Sequence, residues 1–267
     1  MLDLKRTQLF LFDMDGTLYL GEQLFSNTVE LLKTIRAQGK QYLFLTNNSS
    51  KSVDDYVQKM NRLGVDAEKS DFLTSAQATA GYLFNHYPNG KIFVAGTSSF
   101  CQELRNHGLS VTEEPEKDIA CIVCGFDTEL TFQKLDYLSR LLLRKEVPFI
   151  ATNPDLVCPT EYGFVPDCGS VCEMLFHATG RKPFVIGKPS PLMPQLACQK
   201  YGCTPDETLM IGDRLYTDIA CGLNANIPTL LVLSGETTAQ MAASSEFQAN
   251  AIMQDIGELL QELKKIS

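Results

Sequence analysis

The stretch LFLFDMDGTLYL, residues 9–20, constrains this chain more than any other part of it. Four apolar residues run straight into Asp13 and Asp15, followed by Gly16 and Thr17. A continuous apolar run of that length reads as a strand buried on both faces of a parallel sheet. Two carboxylates held close at its end repel each other and lose hydration, so the fold must supply positive charge there. As i and i+2 they point to one side for as long as the extended geometry lasts. Gly16 lets the chain turn at once, and the Thr17 hydroxyl is expected to fix that turn.

Short apolar runs recur at 8–12, 41–45, 91–95, 119–124, 148–151, 183–187, 208–211 and 228–233. Between them lie amphipathic stretches such as SNTVELLKTIRAQG and SVDDYVQKMNRLG, closed by Gly39 and Gly64. The alternation predicts βαβ units, hence an α/β fold with a doubly wound, Rossmann-like parallel sheet. Polar residues follow several strands directly: Asp13, then Thr46, Asn47 and Asn48, then Lys188, then Asp213. Ligands of an open α/β sheet bind beyond the carboxyl ends of its strands. These four strands are therefore expected to deliver their polar groups to one edge. Residues 80–180 alternate in the same way, but their strands end in Ala95-Gly96-Thr97, Gly125-Phe126 and Thr152-Asn153-Pro154. The expectation is a core built from 1–79 and 181–267, with a second α/β domain inserted at 80–180.

A divalent cation is the simplest compensation for the acids. Asp13, Asp213 and Asp218 offer hard oxygen donors, the ligand set of Mg²⁺ rather than zinc. Magnesium commonly shares its site with substrate phosphate, and Lys188 adds a second positive charge. Thr46 and Asn47 offer donors for phosphoryl oxygens. Phosphate-monoester hydrolysis needs rate gains approaching ~10²¹, whereas one acid–base group supplies about 10²–10⁴. Metal, nucleophile and charge stabilisation must act together.

The net charge of −9 excludes a phosphate-backbone partner, and no Lys/Arg block points to a membrane surface. No apolar run reaches transmembrane length, and the run at 9–12 is too short for a signal peptide, so a cytoplasmic enzyme is expected. Nine cysteines, an odd number, argue against a disulfide framework. Cys121 and Cys124 form a C-x-x-C on a strand, where residues three apart face opposite sides and cannot share a zinc. The cysteines read as small buried apolar groups. His86, His107 and His177 are scattered and form no metal motif.

DMDGT after a strand, TNN after the next, GKP with its lysine, and GDRLYTD resemble, in that order, the four motifs of the haloacid dehalogenase-like (HAD) hydrolases. The long insertion carrying ATNPD at 151–155 resembles the large α/β cap of the NagD and p-nitrophenylphosphatase branch. The resemblance implies an aspartyl-phosphate on Asp13, with Asp15 as acid and then base. It implies Mg²⁺ held by Asp13, the Asp15 backbone carbonyl and Asp213. Asp218 would act through water or by orienting Lys188. Thr46, Asn47 and Asn48 would hold the phosphoryl group with Lys188, and Asn153 and Asp155 would lie nearest the substrate. The implied partner is a small phosphorylated metabolite, such as a sugar phosphate or nucleoside monophosphate, with p-nitrophenyl phosphate as a test substrate. A homodimer through the cap is also expected.

One departure stands out: where the branch carries a glycine-rich loop, this chain reads VPDCGS at 165–170. Two alternatives accompany the phosphatase reading. A receiver-like signalling domain also phosphorylates an Asp but needs neither Asp15 nor the insert. A phosphotransferase of the same superfamily would use the same residues.

Overall fold

The computed structural model describes residues 2–144, 146–160 and 162–266. In chain order its strands are β1 (Leu9–Phe12), β2 (Tyr19–Leu20), β3 (Gln23–Leu24), β4 (Gln41–Thr46), β5 (Phe72–Thr74), β6 (Lys91–Ala95), β7 (Ser110–Thr112) and β8 (Ile119–Cys124). There follow β9 (Phe149–Ala151), β10 (Val157–Thr160), β11 (Gly163–Pro166), β12 (Phe184–Val185), β13 (Thr208–Gly212), β14 (Thr229–Val232) and β15 (Ala251–Met253). The helices are α1 (Thr28–Ala37), α2 (Val53–Arg62), α3 (Ser75–His86), α4 (Ser98–Asn106), α5 (Phe132–Leu142), α6 (Cys168–Thr179), α7 (Leu192–Tyr201), α8 (Ala220–Asn224), α9 (Ala239–Ser244) and α10 (Ile256–Lys265). The chain divides into two units. The first comprises Met1–Thr46, Asp54–Leu73 and Lys188–Ser267, the second Asn47–Val53 and Thr74–Gly187.

The first unit holds a six-stranded sheet ordered β15-β14-β13-β1-β4-β5, whose pairs from β15 through β4 are parallel. All four residues of β1 are buried, as a run without polar alternation requires of a central strand. From β1 the chain works outward to β4 and β5 on one side and to β13, β14 and β15 on the other. The strand order therefore reverses at β1, the switch point where open α/β sheets bind ligands. Helix α7 packs on β1, while α1 packs on β4 and α10. Helix α1 buries Leu31, Leu32 and Ile35, and Gly39 beyond its end takes a φ of 73° that suits glycine.

The second unit holds a parallel five-stranded sheet, β12-β9-β8-β6-β7. Its core gathers Phe93, Ile122, Leu138, Phe149 and Leu175. All nine cysteines are free thiols. Cys124 joins this core and Cys121 does not, in line with residues three apart on a strand facing opposite ways. However, Cys124 meets Cys168 and Cys172 of α6, a grouping that the C-x-x-C spacing did not reveal.

Other differences from the sequence expectation have plain causes. The run at 183–187 yields only the two-residue β12, which pairs with β9 in the second sheet rather than joining the first. Four apolar residues carry no information about which sheet will accept them. The backbone amides of Ile186 and Gly187 continue that pairing onto Ala151 and Thr152, after which Lys188 enters the first unit. Helix α3, capped by the Thr74 hydroxyl, belongs to the second unit, whose longer segment runs from Thr74 to Gly187 and is joined by Asn47–Val53, beside an expected span of 80–180. Strands β5, β7 and β15 and the hairpins β2–β3 and β10–β11 are too short to show a period. Among the described residues no helix is long and apolar enough to cross a membrane.

Candidate active site

Asp13 follows β1 directly, and its backbone amide still donates to Ile211 O at 2.8 Å, extending the parallel ladder by one residue. The chain then folds back: Leu18 donates to Met14 O at 2.9 Å and Gly16 to Tyr19 O at 2.8 Å. Gly16 has a φ of 86°, and a Cβ there would strike the Asp213 carboxylate. The Ser234 hydroxyl also donates to Gly16 O at 2.7 Å, which ties the turn to the loop after β14. The Thr17 hydroxyl is buried and finds no hydrogen-bond partner among the described residues, contrary to the role expected of it. Asp15 is exposed and forms an isolated backbone bridge with Tyr19. Thr46 ends β4, two residues past the Phe12–Phe44 pair that aligns β4 with β1.

Lys188 is 2% exposed, and its ammonium donates to Asp13 Oδ1 at 2.5 Å and to Asp218 Oδ1 at 2.6 Å. Asp218 is fully buried in a π-helical turn, Leu215–Ile219, and also accepts from the Arg214 amide at 3.1 Å. Gly212 is required beside it, because a Cβ there would collide with the Asp218 side chain. Asp213 follows β13, accepts from the Glu236 amide at 2.7 Å, and is enclosed by Gly16 and Gly235.

Electrostatics follow from this crowding. Burial pushes Asp13 up to about 8; Lys188 opposes the rise, while Asp218 and Asp213 add to it. Burial and Asp218 lift Asp213 to about 6 against the Glu236 amide, Arg214 and Lys188. Burial would lower Lys188, but Asp13 and Asp218 override it and hold the ammonium firmly protonated.

The sequence reading missed Arg214, Glu236 and Gly235. Arg214 stands 3.0 Å from Glu236 Oε2 without hydrogen-bond alignment, and Asp13 is the largest of the charges that raise its pKa against burial. Its place between Asp213 and Asp218 was the available signal. Glu236 and Gly235 lie in the loop after β14, where no motif marks them.

Ligand oxygens of Asp13, Asp213 and Asp218 lie within 4.8 Å of one another. The donors are all carboxylate, and they outnumber the Lys188 ammonium three to one. Asp213 Oδ1 is buried with no hydrogen-bond partner among the described residues. A hard divalent cation fits this cluster.

In the second unit, Asn47 donates to Asp155 Oδ2 at 3.0 Å, and Asn153 donates to Asn47 O at 2.9 Å. The Asp155 amide closes the knot on Asn153 Oδ1 at 3.0 Å. Asn153 is fully buried with both ends of its amide engaged, which corrects its expected substrate contact to one of positioning Asn47 and Asp155. Asn48 Oδ1 accepts from the Ser50 amide and hydroxyl, both at 2.8 Å, an Asx-type turn.

A doubly wound parallel sheet with an acid–lysine cluster at its switch point defines an α/β enzyme working at the strand ends. The haloacid dehalogenase-like hydrolase family matches residues 10–110, and its HAD-hydrolase-like companion matches residues 185–259. An acid sugar phosphatase from Staphylococcus epidermidis is 31% identical over 98% of this chain and all of that one. The crystal structure of a 4-nitrophenylphosphatase from Thermotoga maritima superposes with a TM-score of 0.91 at 37% identity, covering 97% of this chain and 98% of that one. A glycerol phosphate phosphatase from Mycobacterium tuberculosis, solved with magnesium, gives 0.90 at 31% identity over 97% of this chain and 79% of that one. The chain belongs to the haloacid dehalogenase-like hydrolase family. Within it, the chain stands with the NagD and p-nitrophenylphosphatase type.

Proposed function

We propose that the chain is a Mg²⁺-dependent phosphatase that hydrolyses small phosphomonoesters through an aspartyl-phosphate on Asp13. The observation that carries this reading is the buried Lys188 ammonium joining Asp13 to Asp218 beside Asp213. The phosphatase names of its full-length relatives support it and set the receiver alternative aside.

Asp13, Asp213 and the Asp15 carbonyl would hold the cation, with Asp218 orienting Lys188. Bound Mg²⁺ supplies positive charge that keeps Asp13 ionised near neutrality and offsets charge on the phosphoryl oxygens. The Asp13 carboxylate attacks phosphorus as the bond to the leaving alcohol breaks, and Asp15 gives that oxygen its proton. Asp15 then takes a proton from water, whose oxygen attacks the same phosphorus, freeing Asp13 and inorganic phosphate. Exposure of Asp15 suits both exchanges. Lys188, Thr46 and Asn47 stabilise the phosphoryl oxygens.

The inserted unit acts as a cap that selects the substrate, through Asp155 and the 165–170 loop. A homodimer forms through the same unit, supported by the exposed face of its hairpin, where Val157 and Phe164 point to solvent. A panel of sugar phosphates, glycerol phosphates and nucleoside monophosphates, assayed for phosphate release with Mg²⁺, tests the activity. Asp13→Asn should abolish release while leaving the fold intact; release near the wild-type rate by that variant refutes the mechanism.

A further inference from the structure

Three thiols that the proposed chemistry does not use converge in the second unit. Cys124 ends β8, and Cys168 and Cys172 lie one turn apart on α6. Their sulfur atoms lie within 4.8 Å of one another, and the residues are 1%, 0% and 6% exposed respectively. A tetrahedral metal–thiolate site with bonds near ~2.3 Å separates its sulfurs by about 3.8 Å, so closure requires only side-chain adjustment. The Cys168 thiol donates to the Cys124 carbonyl at 3.3 Å, which already ties helix to strand. Cys172 also lines a cavity of about 180 Å³ together with Asn153, Gly169, Phe176 and Lys182, which gives a small solute a way in.

We propose that Cys124, Cys168 and Cys172 form a binding site for a soft, thiophilic ion, and that charge selects a trivalent metalloid. Thiolates prefer soft ions, so the hard cations suited to the acid cluster are not competitors here. Zinc would need three thiolates and leave a net negative complex among Phe126, Leu138 and Val171, with Asp167 next to Cys168. An unbalanced charge in such surroundings is strongly disfavoured, because the apolar interior returns little of the lost hydration. Arsenous acid avoids it: As(OH)₃ and three thiols give a neutral As(SR)₃ and three waters. No electron changes hands, since each As–O bond is replaced by As–S and each thiol proton leaves with a hydroxide. The product would staple the first turn of α6 to β8, directly under the backbone bond from the Gly169 amide to Asp155 O.

The test uses the full chain, reduced with a phosphine rather than a dithiol, and titrated with sodium arsenite or with zinc chloride. Native mass spectrometry should show one arsenic per chain with three hydrogens lost, and arsenite should raise the melting temperature. Maleimide labelling in guanidinium, which exposes these buried thiols, should find Cys124, Cys168 and Cys172 protected only when arsenite is present. Cys172→Ser, the least buried of the three, should weaken arsenite binding at least tenfold, while Cys203→Ser should leave it unchanged. Zinc should bind at least tenfold more weakly than arsenite. Absence of arsenite binding, or protection mapping to other cysteines, overturns the site. Zinc binding as tight as arsenite overturns the charge argument that chose the ion.

Discussion

Replacing Lys188 by methionine keeps a long side chain and removes only the ammonium and its donors. Lys188 is 2% exposed and engages two carboxylates at 2.5 and 2.6 Å, so the substitution leaves Asp13 and Asp218 with no cation between them. Breaking a buried pair in this way costs about 3–5 kcal/mol. For a protein of this size, at about 2–4 °C per kcal/mol, the melting temperature should fall by roughly 6–20 °C. The pH dependence has a definite sign. Asp13 is raised to about 8 from an ordinary 3.8 even with Lys188 present, so the metal-free fold binds a proton that the unfolded chain has released. Stability therefore falls as pH rises from about 4 to 8, and without Lys188 the fall should continue above 8. In excess chelator the variant's deficit should be larger at pH 9.5 than at pH 7, because only above about 8 does Lys188 let Asp13 ionise in the fold. Turnover of p-nitrophenyl phosphate with Mg²⁺ should drop about 10²–10³-fold, the usual cost of losing one stabilising group. A variant that melts with the same deficit at both pH values, or turns over at the wild-type rate, refutes the reasoning.

Asp15→Asn should slow alkyl phosphates by about 10²–10⁴-fold but p-nitrophenyl phosphate much less, because a good leaving group needs little protonation; equal losses would remove Asp15 from the acid role. Gly235→Ala should weaken Mg²⁺ binding at least about tenfold, since its methyl group would occupy the Asp213 carboxylate's place; unchanged affinity by calorimetry would contradict that enclosure. Mg²⁺ affinity should climb with pH most steeply below about 6, where binding displaces protons from both Asp213, at about 6, and Asp13, at about 8, then less steeply to 8, and level off above it. Calorimetry in buffers of different ionisation enthalpy would reveal the released protons, and a flat profile would place the metal elsewhere.

The sequence made the acid cluster legible because each member follows a motif on an element with a clear signal. Asp13 comes after LFLF and Asp213 after LMIG, and buried strands of a parallel sheet declare themselves as unbroken apolar runs. Lys188 was placed correctly beside them for a wrong reason, since its preceding strand belongs to the other sheet. Gly235 and Glu236 were invisible because their importance lies in which carboxylate they touch, and that depends on a loop. Asn153 looked like a ligand because a polar residue at a strand end is ambiguous until its partners are known. The cysteine trio escaped because Cys124 and Cys168 are 44 residues apart, and only the packing of α6 on the sheet joins them.

The position of β1 between β4 and β13 has a consequence for biosynthesis. Leu9 pairs with Gln41 on one side, but with Thr208 on the other. At about 5–20 residues per second, the ribosome needs roughly 10–40 s to make the 200 or so residues that separate β1 from β13. During that interval the nascent chain can complete the second sheet, whose strands all lie between 91 and 185, while LFLF keeps one edge open. An apolar strand with a free edge invites pairing with another chain, and charges beside it discourage that. Asp13 and Asp15 stand directly after LFLF, so the acids proposed for chemistry also guard the strand before its partner exists. Chains arrested before residue 208 should aggregate more readily when both acids are replaced by asparagine.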